Sequence, residues 1–238
     1  MFDLSKFSIE MYADGADLAS IKAIRGNPLV KGFTTNPTLM KAAGILDYKN
    51  FAREVVDIVN PLPISLEVFA DELIEMKRQA LLLKNLGSNV YIKIPITNSQ
   101  GESTLSLIKE LSSEGANLNV TAVFTKDQVV GILESIEFNS KTIISIFAGR
   151  IADAGIDPVP TIEDALSMAS KFPNVKVLWA SPREIFNLIE AENIGCHIIT
   201  MTPDLWKKIG NLGKDLNQFS LETVQMFFND ALASGFKL

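Results

Sequence analysis

Cysteine and histidine are almost missing from this 238-residue chain: each occurs once, as Cys196 and His197. A single cysteine excludes an internal disulfide and suits a reducing, cytoplasmic compartment. The adjacent pair falls short of zinc-ligand spacing, so no metal is expected and His197 reads as a structural residue. The acidic pairs Asp14/Asp17 and Asp153/Asp157 are too sparse for a calcium or magnesium site. Long apolar runs are absent, so no membrane span is expected. The start, MFDLSKFSIEMYADG, has no basic head ahead of an apolar signal region. Positive charge is in deficit, with 22 Lys and Arg against 28 Asp and Glu and a net charge of −6. That balance argues against nucleic acid and anionic membranes as partners, while leaving a local basic pocket open.

What remains is globular. Hydrophobic residues make up 47% and charged residues 21% of the chain, enough for the core of one large α/β domain. Short β-rich runs recur along it: SIEMYAD (8–14), VKGFTT (30–35), ISLEVFA (64–70), NVYIKIP (89–95), LNVTAVFT (118–125), TIISIFA (142–148), VKVLWA (175–180) and GCHIITM (195–201). Amphipathic stretches lie between them, such as DELIEMKRQALLLKNLG (71–87) and STLSLIKELSSEG (103–115). Eight strands alternating with helices predict a parallel α/β fold, and the count favours a closed eight-stranded β/α (TIM) barrel. The barrel is expected over about residues 8–210 of a single domain spanning 1–238, with DAGIDPVP (153–160) as a long loop. An added C-terminal helix is expected from Ser220 as N-cap to Gly235. Its broad apolar face, Leu221, Val224, Phe227, Phe228, Ala231 and Leu232, has to pack on the barrel or on another subunit.

Strands of a parallel barrel are buried on both faces and read as continuous apolar runs. Several here break the run: Glu67 in ISLEVFA, Lys93 in VYIKIP, Asn119 and Thr121 in NLNVTAVF, and Ser145 in TIISIF. One buried polar residue per strand is ordinarily a satisfied structural group. A carboxylate, a lysine, an amide and two hydroxyls on adjacent strands suggest more, since inward-pointing groups near strand C-termini converge where barrel enzymes place their chemistry. A lysine in water has a pKa of about 10.4, so roughly one molecule in a few thousand carries a nucleophilic amine at pH 7. Burial penalises the charged form, and a fall of about three pH units, equivalent to about 4 kcal/mol, would give a useful amine fraction. Such an amine forms a Schiff base with a carbonyl, whose protonated imine draws electrons from the neighbouring carbon–carbon bond. Aldol cleavage further needs a water-positioning pair and an acid/base for the departing hydroxyl.

The segments MYAD, GFTTNPTLM, ISLEV, VYIKIPIT, LNVTAVF, ISIFAGRIAD and the ASPRE–GCHIITMTP pair resemble the transaldolase family over roughly residues 8–210. The length is similar to the family's short branch, which holds transaldolases and fructose-6-phosphate aldolases. The resemblance implies an eight-stranded β/α barrel, no cofactor, and the Schiff-base lysine on the fourth strand, where Lys93 lies. It implies that Asp14 is the acid/base for the C4 hydroxyl and that Glu67 and Thr121 hold a catalytic water. Asn36, Asn119 and Ser145 match groups that bind hydroxyls of the three-carbon unit. Arg150, Ser181 and Arg183 match phosphate-binding groups. Ser181-Pro182 also reads as the start of a helix after the seventh strand, a position that favours anions.

Two positions separate the branches. The chain has Glu67 where the aldolases share glutamine, and Phe147 where they have tyrosine. Without a tyrosine hydroxyl to help protonate the enamine, the intermediate waits for an acceptor aldehyde, which favours a transaldolase. The chain departs from the family pattern at Gly15, where threonine or serine is common, and at Pro182, where an aromatic residue is frequent. The alternatives are an aldolase releasing free dihydroxyacetone, or a barrel that only binds a phosphosugar. The resemblance further implies sugar phosphates as partners and a homo-oligomer, a pentamer or decamer, joined through the C-terminal helix.

Overall fold

A computed structural model describes residues 3–237, so Met1, Phe2 and Leu238 of the expected 1–238 domain lie outside it. Eight parallel strands close into a barrel in chain order: β1 (Glu10–Asp14), β2 (Val30–Thr34), β3 (Ile64–Glu67), β4 (Val90–Pro95), β5 (Leu118–Val123), β6 (Thr142–Ile146), β7 (Val175–Trp179) and β8 (Ile198–Met201). β1 pairs with β8 through Tyr12 and Thr200, which closes the ring. All eight expected strands are present, β2, β3, β5, β6 and β7 ending earlier than expected. The helices are α1 (Leu18–Ile24), α2 (Pro37–Ala42), α3 (Tyr48–Val59), α4 (Leu73–Lys84), α5 (Leu105–Ser113) and α6 (Lys126–Ser135). They continue as α7 (Ala148–Asp153), α8 (Val159–Ala169), α9 (Phe186–Asn193), α10 (Pro203–Lys208) and α11 (Leu216–Ser234). Among the described residues, no helix is long and apolar enough to cross a membrane.

The period-two alternation of strand side chains divides the barrel into two cores. Odd-numbered positions of β1, such as Met11, and even ones of β3, β4 and β5, such as Leu66, Ile92, Ile94 and Val120, join the helices in one continuous apolar layer. α3 shows how: Asp47 caps its start by accepting from the Asn50 N–H, and Phe51, Ala52, Val55, Val56 and Val59 recur along the buried face. With the outer layer supplying the hydrophobic burial, the interior can afford polar groups. Its apolar part is small, centred on Tyr12, Ile143, Leu178, Ala180 and Ile198. The Tyr12 ring fills space left by Gly32, where a Cβ would meet the ring carbons at 2.4–2.7 Å. At the barrel's N-terminal end Lys176 donates to Glu10 at 2.5 Å. His197 is structural, as expected: its Nδ1 accepts the Val177 N–H at 2.9 Å, and burial keeps its pKa below the usual histidine value.

Two helix boundaries differ from the sequence reading. α11 begins at Leu216 rather than after Ser220, because Asp215 reaches the Gln218 N–H and caps the helix one turn earlier. Gly235 ends it in the left-handed region at φ +64°, as expected. The long loop at 153–160 is short, since α8 starts at Val159 with Pro160 inside its first turn. In the single chain α11 does not bury its apolar face on the barrel: Phe227 and Phe228 are 62% and 63% exposed.

Candidate active site

Lys93 sits in the middle of β4, beside Glu67 of β3 and Asn119 of β5 in register. It is 7% exposed. Its Nζ lies 2.9 Å from Glu67 Oε2 and donates to the Thr35 carbonyl at 3.0 Å. The strand end carrying Glu67 is fixed from outside, where the Tyr48 hydroxyl donates to the Glu67 carbonyl at 2.9 Å. Among the described residues, Glu67 is the carboxylate paired with the Lys93 nitrogen.

Asp14 ends β1 and faces the same space. The Thr34 hydroxyl donates to Asp14 Oδ1 at 2.7 Å, and Thr34 Oγ1 lies 2.5 Å from Thr200 Oγ1. Burial pushes the Asp14 carboxyl above the usual carboxylate range, opposed by the Lys93 charge and the Thr34 hydrogen bond and reinforced by Glu67. A neutral chain of hydrogen bonds links β6, β5 and β3. Ser145 donates to Asn119 Oδ1 at 2.7 Å, and Asn119 Nδ2 donates to Ser65 Oγ at 2.8 Å.

Thr121 is different. It is 2% exposed, and its Oγ1 has no hydrogen-bond partner. A buried hydroxyl without a partner is costly unless water or a ligand satisfies it. It lines a pocket of about 40 Å³ together with Asp14, Thr34, Asn36, Lys93, Ser145 and Phe147, large enough to hold a water. Next to it the β5–β6 register shifts between Val120 and Val123, and Ala122 sits at φ +58°. Such a bulge is a common device for aiming a side chain beside a site.

The rim comes from the loops after β2, β6 and β7. Asn36 caps α2, its Oδ1 accepting from the Leu39 N–H at 2.9 Å, which leaves its amide N–H groups for a ligand. Phe147 follows β6 and packs on Phe124 at 5.6 Å between ring centroids. The Arg150 guanidinium lies 5.4 Å from the Phe147 ring centre, near enough for a cation–π contact. Arg183 is held by Asp153 through a two-pronged ion pair, one branch running from Nε to Oδ1 at 3.1 Å. Gly149 lets α7 approach this loop, since a Cβ there would fall 1.6 Å from the Ser181 carbonyl oxygen.

Ser181 is not a helix cap. It lies in the loop at φ +57°, and α9 begins only at Phe186. The Arg183 and Glu184 N–H groups are taken by Asn187 Oδ1 at 2.8 and 3.1 Å. Ser181 therefore lines the pocket from a loop and not from a helix terminus.

A sequence profile described as transaldolase/fructose-6-phosphate aldolase matches residues 11–237. The chain belongs to this family of enzymes. It is 33% identical over 217 residues to a probable transaldolase of Nitrosopumilus maritimus, covering 90% of this chain and 92% of that protein. It is also 33% identical over 202 residues to probable transaldolase 2 of Listeria monocytogenes, covering 84% and 88%. Among solved structures, dihydrodipicolinate synthase from Rhodopseudomonas palustris aligns with a TM-score of 0.55 over 84% of this chain and 71% of that one. At 12% identity that likeness concerns the barrel fold alone.

The sequence-derived residues of this family member gather as follows. Asp14, Asn36, Lys93, Thr121, Ser145, Phe147 and Ser181 line one pocket. Glu67 and Asn119 touch it through Lys93 and Ser145. Arg150 stands at its rim over Phe147, and Arg183 is tied to α7 through Asp153. Sequence reasoning missed Thr34, Ser65, Thr200, Gly149 and Asp153. Ser65 was within reach, being two residues before Glu67 and therefore on the same strand face.

Proposed function

We propose that the chain is a transaldolase that moves a dihydroxyacetone unit from a ketose phosphate, fructose 6-phosphate or sedoheptulose 7-phosphate, to an aldose phosphate, glyceraldehyde 3-phosphate or erythrose 4-phosphate. One observation carries this reading: Lys93 is buried against Glu67 in the pocket that also holds Asp14 and the unpartnered Thr121 hydroxyl. The Lys93 amine adds to the ketose C2 carbonyl, and loss of water gives the imine. Glu67 and a water on Thr121 carry the protons of that dehydration. Asp14 then takes the C4 hydroxyl proton, the C3–C4 bond breaks, and its electrons flow to the protonated imine. An aldose phosphate leaves and an enamine stays on Lys93. An acceptor aldehyde reverses these steps, and hydrolysis frees the lysine. Asn36, Asn119 and Ser145 retain hydrogen-bonding capacity toward the hydroxyls of the three-carbon unit. Arg150, Ser181 and Arg183 are assigned to the phosphate.

Transfer, rather than release of dihydroxyacetone, is favoured by Phe147, which brings no hydroxyl to protonate the enamine. With fructose 6-phosphate and no acceptor, the protein is expected to release dihydroxyacetone slowly, and erythrose 4-phosphate is expected to raise turnover many-fold. Phe147→Tyr is expected to raise acceptor-free release. Rapid release by the unaltered chain would make it an aldolase.

The same reading extends to setting and assembly. The sugar-phosphate exchange belongs to the pentose phosphate pathway in the cytoplasm, where the free, buried Cys196 stays reduced; burial pushes its thiol up to about 12. Assembly into a pentamer or decamer of identical chains is supported by the apolar residues of α11, Leu221, Val224, Phe227, Phe228 and Leu232, all at least half exposed in one chain. Light scattering is expected to give a multiple of the chain mass; a monomer at 26.1 kDa would contradict assembly.

A further inference from the structure

Thr200 lies on the last strand, 7% exposed, and no part of the reaction described above uses it. Its Oγ1 is 2.5 Å from Thr34 Oγ1, and Thr34, itself 3% exposed, donates to Asp14 Oδ1 at 2.7 Å. The barrel's closure creates this line of atoms: β1 pairs with β8 on one side and with β2 on the other, with Asp14 beside Thr34 in register. A hydroxyl has one proton to donate. Because the Thr34 proton is committed to Asp14, the proton of the Thr34–Thr200 contact belongs to Thr200. Thr200 therefore donates to Thr34, which donates to the carboxylate, and each bond polarises the next.

The geometry points to Thr200 as a positioning residue for the reaction, acting through Thr34 to hold Asp14 Oδ1 so that Oδ2 is left to take the substrate proton. This inference rests on the transaldolase reading of Asp14. The charged groups facing Asp14 are Lys93 from β4 and Glu67 from β3, while β2 and β8 contribute Thr34 and Thr200. Burial works against the ionised carboxylate here, so donors directed at it favour the form that can act as a base.

Thr200→Val keeps the shape and removes the donor; Thr200→Ser keeps the donor. In steady-state assays across pH, Thr200→Val is expected to lower kcat about tenfold, the upper end for one lost hydroxyl–hydroxyl hydrogen bond that supports the carboxylate through Thr34. KM for the ketose phosphate is expected to hold, and the acid limb of the kcat profile to move to higher pH. Thr200→Ser is expected to restore both rate and profile. Borohydride reduction in the presence of fructose 6-phosphate separates the layers, because imine formation precedes the step that uses Asp14. Normal labelling of Lys93 in Thr200→Val, with the slowed and shifted profile, supports the inference. Normal labelling with the wild-type rate and profile overturns it. A slowed rate with an unmoved profile, or no restoration by serine, also overturns it, because a purely structural role would give that result. If wild-type Lys93 takes no label, the transaldolase reading itself has failed and the inference goes with it. Melting temperatures of all three proteins exclude unfolding as the cause of a lost rate.

Discussion

Lys93→Met is expected to reduce transfer to the buffer background, a loss on the order of 10⁶-fold, which is what removal of a covalent nucleophile costs in other enzymes. Methionine matches the length and fills the space, so the rate change reports the missing nitrogen. The substitution also has a structural effect. Glu67, with a side chain 16% exposed, loses its partner 2.9 Å away, and a largely buried carboxylate without a cation destabilises its surroundings. The single variant is therefore expected to melt below the wild type. Adding Glu67→Gln is expected to recover much of that stability and none of the activity. A double variant that regains transfer would show that Lys93 is not the nucleophile.

Asp14→Asn is expected to lower kcat by about 10²- to 10⁴-fold, the usual worth of a positioned acid/base, while raising stability near neutral pH. The second half follows from the sign of the shift. Burial raises the folded-state pKa of Asp14 above its unfolded value, so between the two values the folded state binds the proton more fully. Stability from this group is present below the unfolded pKa and falls as pH rises through the folded one. Asparagine keeps an oxygen for the Thr34 hydroxyl and removes the cost of the buried charge. Thermal unfolding at pH 5 to 8 is expected to show Asp14→Asn above the wild type at the alkaline end, with the gap narrowing as pH falls. A variant that is slow and also less stable at pH 8 would mean that Lys93 and Thr34 outweigh burial at this carboxylate. The same raised pKa means that wild-type kcat falls on the acid side at higher pH than an ordinary aspartate would impose.

The barrel was legible because β-branched runs with both faces apolar recur eight times, and a strand's period of two fixes which residues point inward. Glu67, Lys93, Asn119, Thr121 and Ser145 interrupted those runs at inward positions, and that interruption was the signal for the site. Apart from Ser65, what escaped depended on closure or on backbone detail. Thr34 and Thr200 are 166 residues apart in sequence, and only the seam between β8 and β1 brings them together. Asp215 and Ser220 are both suitable caps, and side-chain geometry chose the first for α11. The left-handed backbone of Ser181 and Ala122 leaves no mark in residue type, since neither is a glycine. Ser181 therefore lies in a loop, and the next helix starts only at Phe186.

The proposed reaction turns on a covalent bond from one lysine nitrogen to the ketose C2. Borohydride reduction of the wild-type protein with fructose 6-phosphate, read by intact mass and peptide mapping, tests it most directly. The expected result is a single substrate-dependent adduct on the peptide containing Lys93, absent from Lys93→Met. A protein that turns over the sugar phosphate yet carries no adduct, or carries it on another lysine, would contradict the account.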